Sequence, residues 1–129
     1  MELVLILPIF LLLIFSIVEF SMLMSAHTRV ANAAHSGARL MSLCGANADH
    51  IEYQVNSLLG PVLSKGSQIA IQPADHAGDI GRVSVRVPMK NASPDLLWIT
   101  GFSLANRSIN ADASMVMERS TSTETPIRL

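Results

Sequence analysis

The sequence predicts an α+β protein. A long N-terminal helix crosses a membrane and extends into a small domain with a second helix and a roughly three-stranded antiparallel sheet. Three observations predict it. Leu3–Val18 carries no charge and is almost wholly apolar. Apolar and small residues then keep helical spacing as far as Cys44. Further on, the period changes to two in three separate stretches. The expected division is an N-terminal helix over residues 1–45 and an α+β head over residues 46–129.

The apolar run, LVLILPIFLLLIFSIV, lies between Glu2 and Glu19, and apolar character resumes over Phe20–Ala26. A helix needs about 18 or more mostly apolar residues to cross about 30 Å of hydrocarbon. The run reaches that length only with Glu19 inside it or at its edge. A carboxylate at that depth is costly unless it lies near the interface or has a partner, which marks Glu19 as functional. A cleaved secretory signal fits poorly, because nothing basic precedes the run and Pro8 and Glu19 interrupt it. Retention as an anchor is the expectation. The first basic residues, Arg29 and Arg39, follow the span, and the positive-inside rule places them in the cytoplasm; a basic leader ahead of Met1 reverses that inference.

Beyond the span, Val30, Ala33, Ala34, Gly37, Met41 and Cys44 share one face of a helix. One helix from about Leu3 to Leu43 is therefore expected, closed by Gly45 as C-cap. Pro8 inside it costs a backbone hydrogen bond and invites a kink or local melting. Membrane helices tolerate this where neighbouring helices satisfy the freed carbonyl. The stripe Ala33, Ala34, Gly37 and Ala38 is small enough to let another helix approach closely, or to pack on the chain's own sheet.

A second helix is predicted from near Asp49, where Asp49 and Glu52 resemble a capping box. Its apolar face is Ile51, Val55, Leu58, Leu59 and Val62; Gly60-Pro61 bends or breaks it, and Lys65-Gly66 ends it. Alternation then predicts strands over 67–72, over 82–88 with Val83, Val85 and Val87 on one face, and over 108–118. In the last of these Ile109, Ala111, Ala113, Met115 and Met117 alternate. Residues 73–81 form a turn-rich connector. Residues 91–101 are either a loop with an exposed apolar patch or a short helix capped by Ser93 with Pro94 first. Trp98 reads first as a core residue and second as a partner-binding anchor. The tail over 119–129 is polar and expected to fray.

Signals for chemistry are sparse. Nine Lys/Arg balance ten Asp/Glu with no basic run, so nucleic acid has no electrostatic footprint to bind. Cys44 is the only cysteine, which excludes an internal disulfide, and it reads as a small buried apolar residue. His27, His35, His50 and His76 are scattered without ligand spacing, so no metal is expected. No phosphate loop occurs, and Ser36-Gly37 and Cys44-Gly45 lack the flanks of a nucleophile elbow. Asn91-Ala-Ser93 and Asn106-Arg-Ser108 match the glycosylation sequon, a short and unspecific pattern. No catalytic residue and no cofactor is assigned, and the chain does not read as an enzyme.

Glu2-Leu-Val-Leu-Ile-Leu-Pro8, then Leu11–Ile17, then Val18-Glu19-Phe20, resembles the N-terminal signature of TadE-like pilins. Asn32–Arg39, NAAHSGAR, is similar to the NAAREGAR stretch of that family, with His35-Ser36 in place of its charged residues. Met117-Glu118-Arg119 resembles its C-terminal pattern more weakly.

The resemblance implies a minor pilin or pseudopilin of the tight-adherence pilus, a type IV pilus subclass. It implies a single-pass protein of the bacterial inner membrane with its C-terminal domain in the periplasm, able to enter an extracellular pilus. Its partners would be other pilin subunits and pilus assembly proteins, with prepilin peptidase where a longer precursor exists. The family's processing glycine and basic leader have no counterpart here, since only Met1 precedes Glu2, and Leu3 replaces the commoner aromatic. Glu2 matches the family glutamate, thought to attract the freed N-terminal amine of a neighbouring subunit. Glu2, Pro8 and Glu19 are the expected assembly residues. The alternative reading is a single-pass envelope protein whose periplasmic domain binds a ligand or partner.

Overall fold

The computed structural model describes residues 1–44 and 47–118. Helix α1 covers Glu2–Cys44, α2 covers Ala48–Leu63, and strands β1, β2 and β3 cover Gln68–Gln72, Ile80–Pro88 and Ser108–Val116. The sheet runs in the order β1-β2-β3 with both pairs antiparallel. This is the α+β arrangement that the change of period predicts.

The uncharged run and the stripe after it form one uninterrupted helix. Helix α1 stays helical through Pro8, so the local melting expected there does not occur. Proline removes a single donor, the one that would bond the Val4 carbonyl, and a helix this long keeps its remaining bonds. Polar groups inside it turn back on its own backbone. Ser16 Oγ donates to the Leu12 carbonyl at 2.8 Å and Thr28 Oγ1 to the Met24 carbonyl at 3.0 Å. Such bonds satisfy hydroxyls without water.

Helix α2 begins at Ala48 with Asn47 as N-cap and no side-chain capping bond, so the expected Asp49–Glu52 box is not the cap. The Asn47 carbonyl accepts the His50 and Ile51 amides, and Asp49 falls in the first turn, where an acid favours the helix dipole. Gly60 adopts φ 79°, ψ 174° and kinks the helix just before Pro61. The buried face is a single stripe in four-residue steps. Ile51, Val55, Leu59 and Leu63 are buried, whereas the expected Leu58 and Val62 are exposed. That Gly60 conformation is nearly closed to residues with a Cβ, although a Cβ there meets no neighbour within 4 Å. Gly60→Ala should therefore cost about 1–3 kcal/mol through backbone strain alone. Thermal melting of the purified variant checks this, and an unchanged midpoint would contradict it.

The core forms where three elements converge. Ala33, Ala34, Ala38 and Met41 of α1 meet Val55 and Leu59 of α2 and Val83, Val85 and Val87 of β2, with Ile109 and Ala113 added by β3. Pairing of Val83 with Ala113, Val85 with Ala111 and Val87 with Ile109 puts one branched and one mostly small residue in each row. The small partners let the helix lie close to the sheet. Gly81 leaves the space that the Met41 thioether fills. The expectations for Gly45, the Cys44 side chain and the 119–129 tail lie outside the described residues.

The chain passes back and forth along α1. Val62 and Leu63, at the end of α2, lie across a cleft of about 400 Å³ from Ser21–Arg29 of α1, so α2 runs back toward the apolar run. Asn91 and Ala92, just after β2, line the same cleft, and Asn91 Nδ2 donates to the Lys65 carbonyl. At the other end the Glu118 amide donates to the Ser42 carbonyl at 3.4 Å. The 92–107 connection between β2 and β3 therefore sits at the pole of the head nearest the apolar half of α1.

Candidate functional site

Between Glu2 and Val18 every residue of α1 is exposed, and nothing in the head covers that length. The helix over Glu2–Leu43 is long and apolar enough to cross a membrane, with a mean hydropathy of 2.9 in its most apolar window. Glu2 is the first helical residue, and its acid lies at the positive end of the helix dipole. Pro8 faces outward with its neighbours, six residues on.

Glu19 behaves differently. Its side chain is 2% exposed, and neither carboxylate oxygen has a hydrogen-bond partner. Seven residues separate it from Ala26, nearly two helical turns, so it continues the buried face of Ala26, Val30 and Ala33. The described parts of the head nearest that stretch of α1 are the end of α2 and Asn91–Ala92. In the sequence Glu19 reads only as an acid inside or at the edge of the apolar run, not as part of the buried face.

The small stripe is spoken for. Ala33, Ala34, Gly37 and Ala38 are all buried by the chain's own α2 and sheet. In this fold they present no groove to a separate helix.

The 91–101 segment takes the first of its two expected forms. It is a loop with tight 3₁₀ turns over Met89–Asn91 and Trp98–Thr100, and the helix capped by Ser93 does not form. Ser93 is buried and its hydroxyl donates to the Pro94 carbonyl at 3.2 Å. Trp98 is 67% exposed, which overturns the core reading. Only Leu104 in this connection is fully buried among its large apolar residues, so the loop is anchored there and turned outward at Trp98.

No group of His, Cys, Asp and Glu able to hold a metal occurs among the described residues. Their one ion pair, His76 Nδ1 to Asp79 Oδ2 at 3.7 Å, is exposed in the β1–β2 connector and is worth little. The arrangement offers two acids, one at the start of a bare apolar rod and one under the head, and a loop beside the second.

Among curated proteins and among solved structures nothing matches the chain. A family model described as TadE-like protein matches residues 1–39, the bare half of α1 together with much of the stripe that enters the head. The N-terminal segment of this chain is therefore similar to TadE-like proteins, consistent with a TadE-like protein of the tight-adherence pilus.

Proposed function

We propose that this protein is a membrane-anchored, pilin-like structural or assembly subunit of a tight-adherence pilus, without catalytic activity. One observation carries the reading: α1 presents an apolar rod with no cover of its own, and the TadE-like match falls on that rod. An exposed apolar surface of this size needs lipid or neighbouring helices around it. The rod suits both, lying in the inner membrane before assembly and among other pilin helices after it. The head then stands on the periplasmic side. Glu2 supplies the charge that a neighbouring subunit's amine can satisfy once both are withdrawn from water. Pro8 leaves one carbonyl for a neighbouring helix to satisfy or for the rod to open at.

Glu2→Ala tests the reading. The variant should insert in the membrane as the parent does, by resistance to alkaline extraction, yet yield no pili in sheared fractions or by electron microscopy. Normal piliation in Glu2→Ala cells would remove Glu2 from the assembly step.

A further inference from the structure

The 92–107 connection is held by local bonds: Asp95 Oδ2 accepts the Ser103 hydroxyl at 3.2 Å and the Leu104 amide at 3.3 Å, and Thr100 Oγ1 donates to the Leu97 carbonyl at 2.7 Å. Backbone turns close the same segment, with the Gly101 amide on the Trp98 carbonyl at 3.1 Å and the Arg107 amide on the Leu104 carbonyl at 3.1 Å. The apolar side chains point out. Trp98 is 67% exposed and Ile99 74%, and Phe102 beside them lies 5.1 Å beneath the Arg107 guanidinium. The outward Trp98, Ile99 and Phe102 form an apolar patch that suits an apolar medium better than water.

Its position says which medium. The loop leaves β2 through Asn91 and Ala92, which face Ser21–Arg29 of α1 across the cleft, at the pole of the head where α1 passes from buried to bare. From Leu3 to Val18 the rod spans roughly 24 Å at about 1.5 Å per residue, short of the roughly 30 Å of hydrocarbon. The bilayer surface on the head's side must therefore lie at or just beyond Glu19. Tryptophan concentrates at that level, and a cation over an aromatic ring belongs there too.

We infer that the Trp98–Phe102 knuckle inserts into the membrane interface beside α1, giving the head a second lipid contact. This rests on the proposed anchoring of α1 in the membrane. Insertion of an interfacial apolar element reaches about 5–10 Å into the boundary between headgroups and acyl chains.

Trp98 is the sole tryptophan, so its emission reports the loop alone. The test is the full chain reconstituted in phosphatidylethanolamine–phosphatidylglycerol vesicles containing lipids brominated either near the headgroup or deep in the acyl chain. Trp98 should emit to the blue of its unfolded value and be quenched more by the shallow bromines than by the deep ones. Ile99→Asp, at an exposed position, should shift that emission to the red and weaken the quenching, with the circular dichroism and vesicle flotation of the parent. A chain that floats with the vesicles while Trp98 emits as in water, unquenched, overturns insertion and leaves the anchor standing. Blue emission that neither lipid quenches puts Trp98 against protein, a second copy included, and also overturns it. A chain that fails to float overturns the anchor, and the inference with it.

Discussion

Gly37→Leu should unfold the head and leave the apolar half of α1 in place. A Cβ built on Gly37 would stand 2.9 Å from Val55 Cγ2 and 3.4 Å from both Ile51 Cγ2 and Val83 Cγ1. Those atoms come from two other elements, α2 and β2, so the new side chain has no side on which to escape. The neighbours are also β-branched and held to few rotamers, which prevents them from swinging aside. Overpacking by a methylene or two costs about 1–3 kcal/mol, and a whole isobutyl group at a three-way junction should exceed that range. A small domain has roughly 5–15 kcal/mol in all, so much of the head's stability is at stake. A graded series, with Ala mildest, Val intermediate and Leu worst, is expected in thermal melts of the detergent-solubilised chain. Hydrogen exchange adds the location: β2 and β3 amides should lose protection, while amides of Leu3–Val18 keep theirs. A Leu variant that melts with the parent would show that the junction has slack.

Glu19→Met should act in the opposite direction. The buried Glu19 carboxylate has neither oxygen bonded, so the fold bears its desolvation without return. A methionine of similar length fills the same space with apolar atoms. Replacing buried charge by apolar groups of like volume stabilises by about 1–4 kcal/mol in favourable cases, and methionine adapts readily to irregular sites. The purified Glu19→Met chain should therefore melt several degrees above the parent, a shift of the size expected from such an energy in a domain this small. Under the proposed function the acid is kept for a cation or donor brought by another subunit. The same substitution should then lower piliation in cells while raising the stability of the isolated chain. A Glu19→Met chain less stable than the parent would mean that the carboxylate already has a partner in the monomer.

Much of the fold was legible because its signals are periodic. An uncharged run followed by a small-residue stripe specifies α1, and alternating valines specify β2 and its inner face. What failed did so where periodicity leaves a choice open. In α2 the buried stripe keeps four-residue steps through Ile51, Val55, Leu59 and Leu63, narrower than the run of apolar residues on offer, so Leu63 entered the core while Leu58 and Val62 stayed outside it. The start of α2 was legible to within a residue, but its cap was not, because Asn47 and Asp49 are both acceptable caps and the choice between them is made by the approach of the chain. Trp98 was misread for another reason. A loop has no period, so nothing assigns its apolar residues to an inside or an outside face. The acids divided in the same way: Glu2 could be weighed by position and resemblance, whereas the burial of Glu19 is a product of tertiary packing.

Helix α1 has no joint between the part that suits a bilayer and the part that forms the head's core. Anchor and head are consequently one lever. An axial pull on the rod reaches the sheet directly, because no slack linker stands between them to stretch first. The contact of α1 with α2 and the strands would bear that pull as shear, spread along several turns. Rotation is transmitted just as directly: turning the anchor by one residue's worth, about 100°, carries the whole head through the same angle. Under the proposed function, the direction in which the head faces around a filament would thus be set by how the rods mesh.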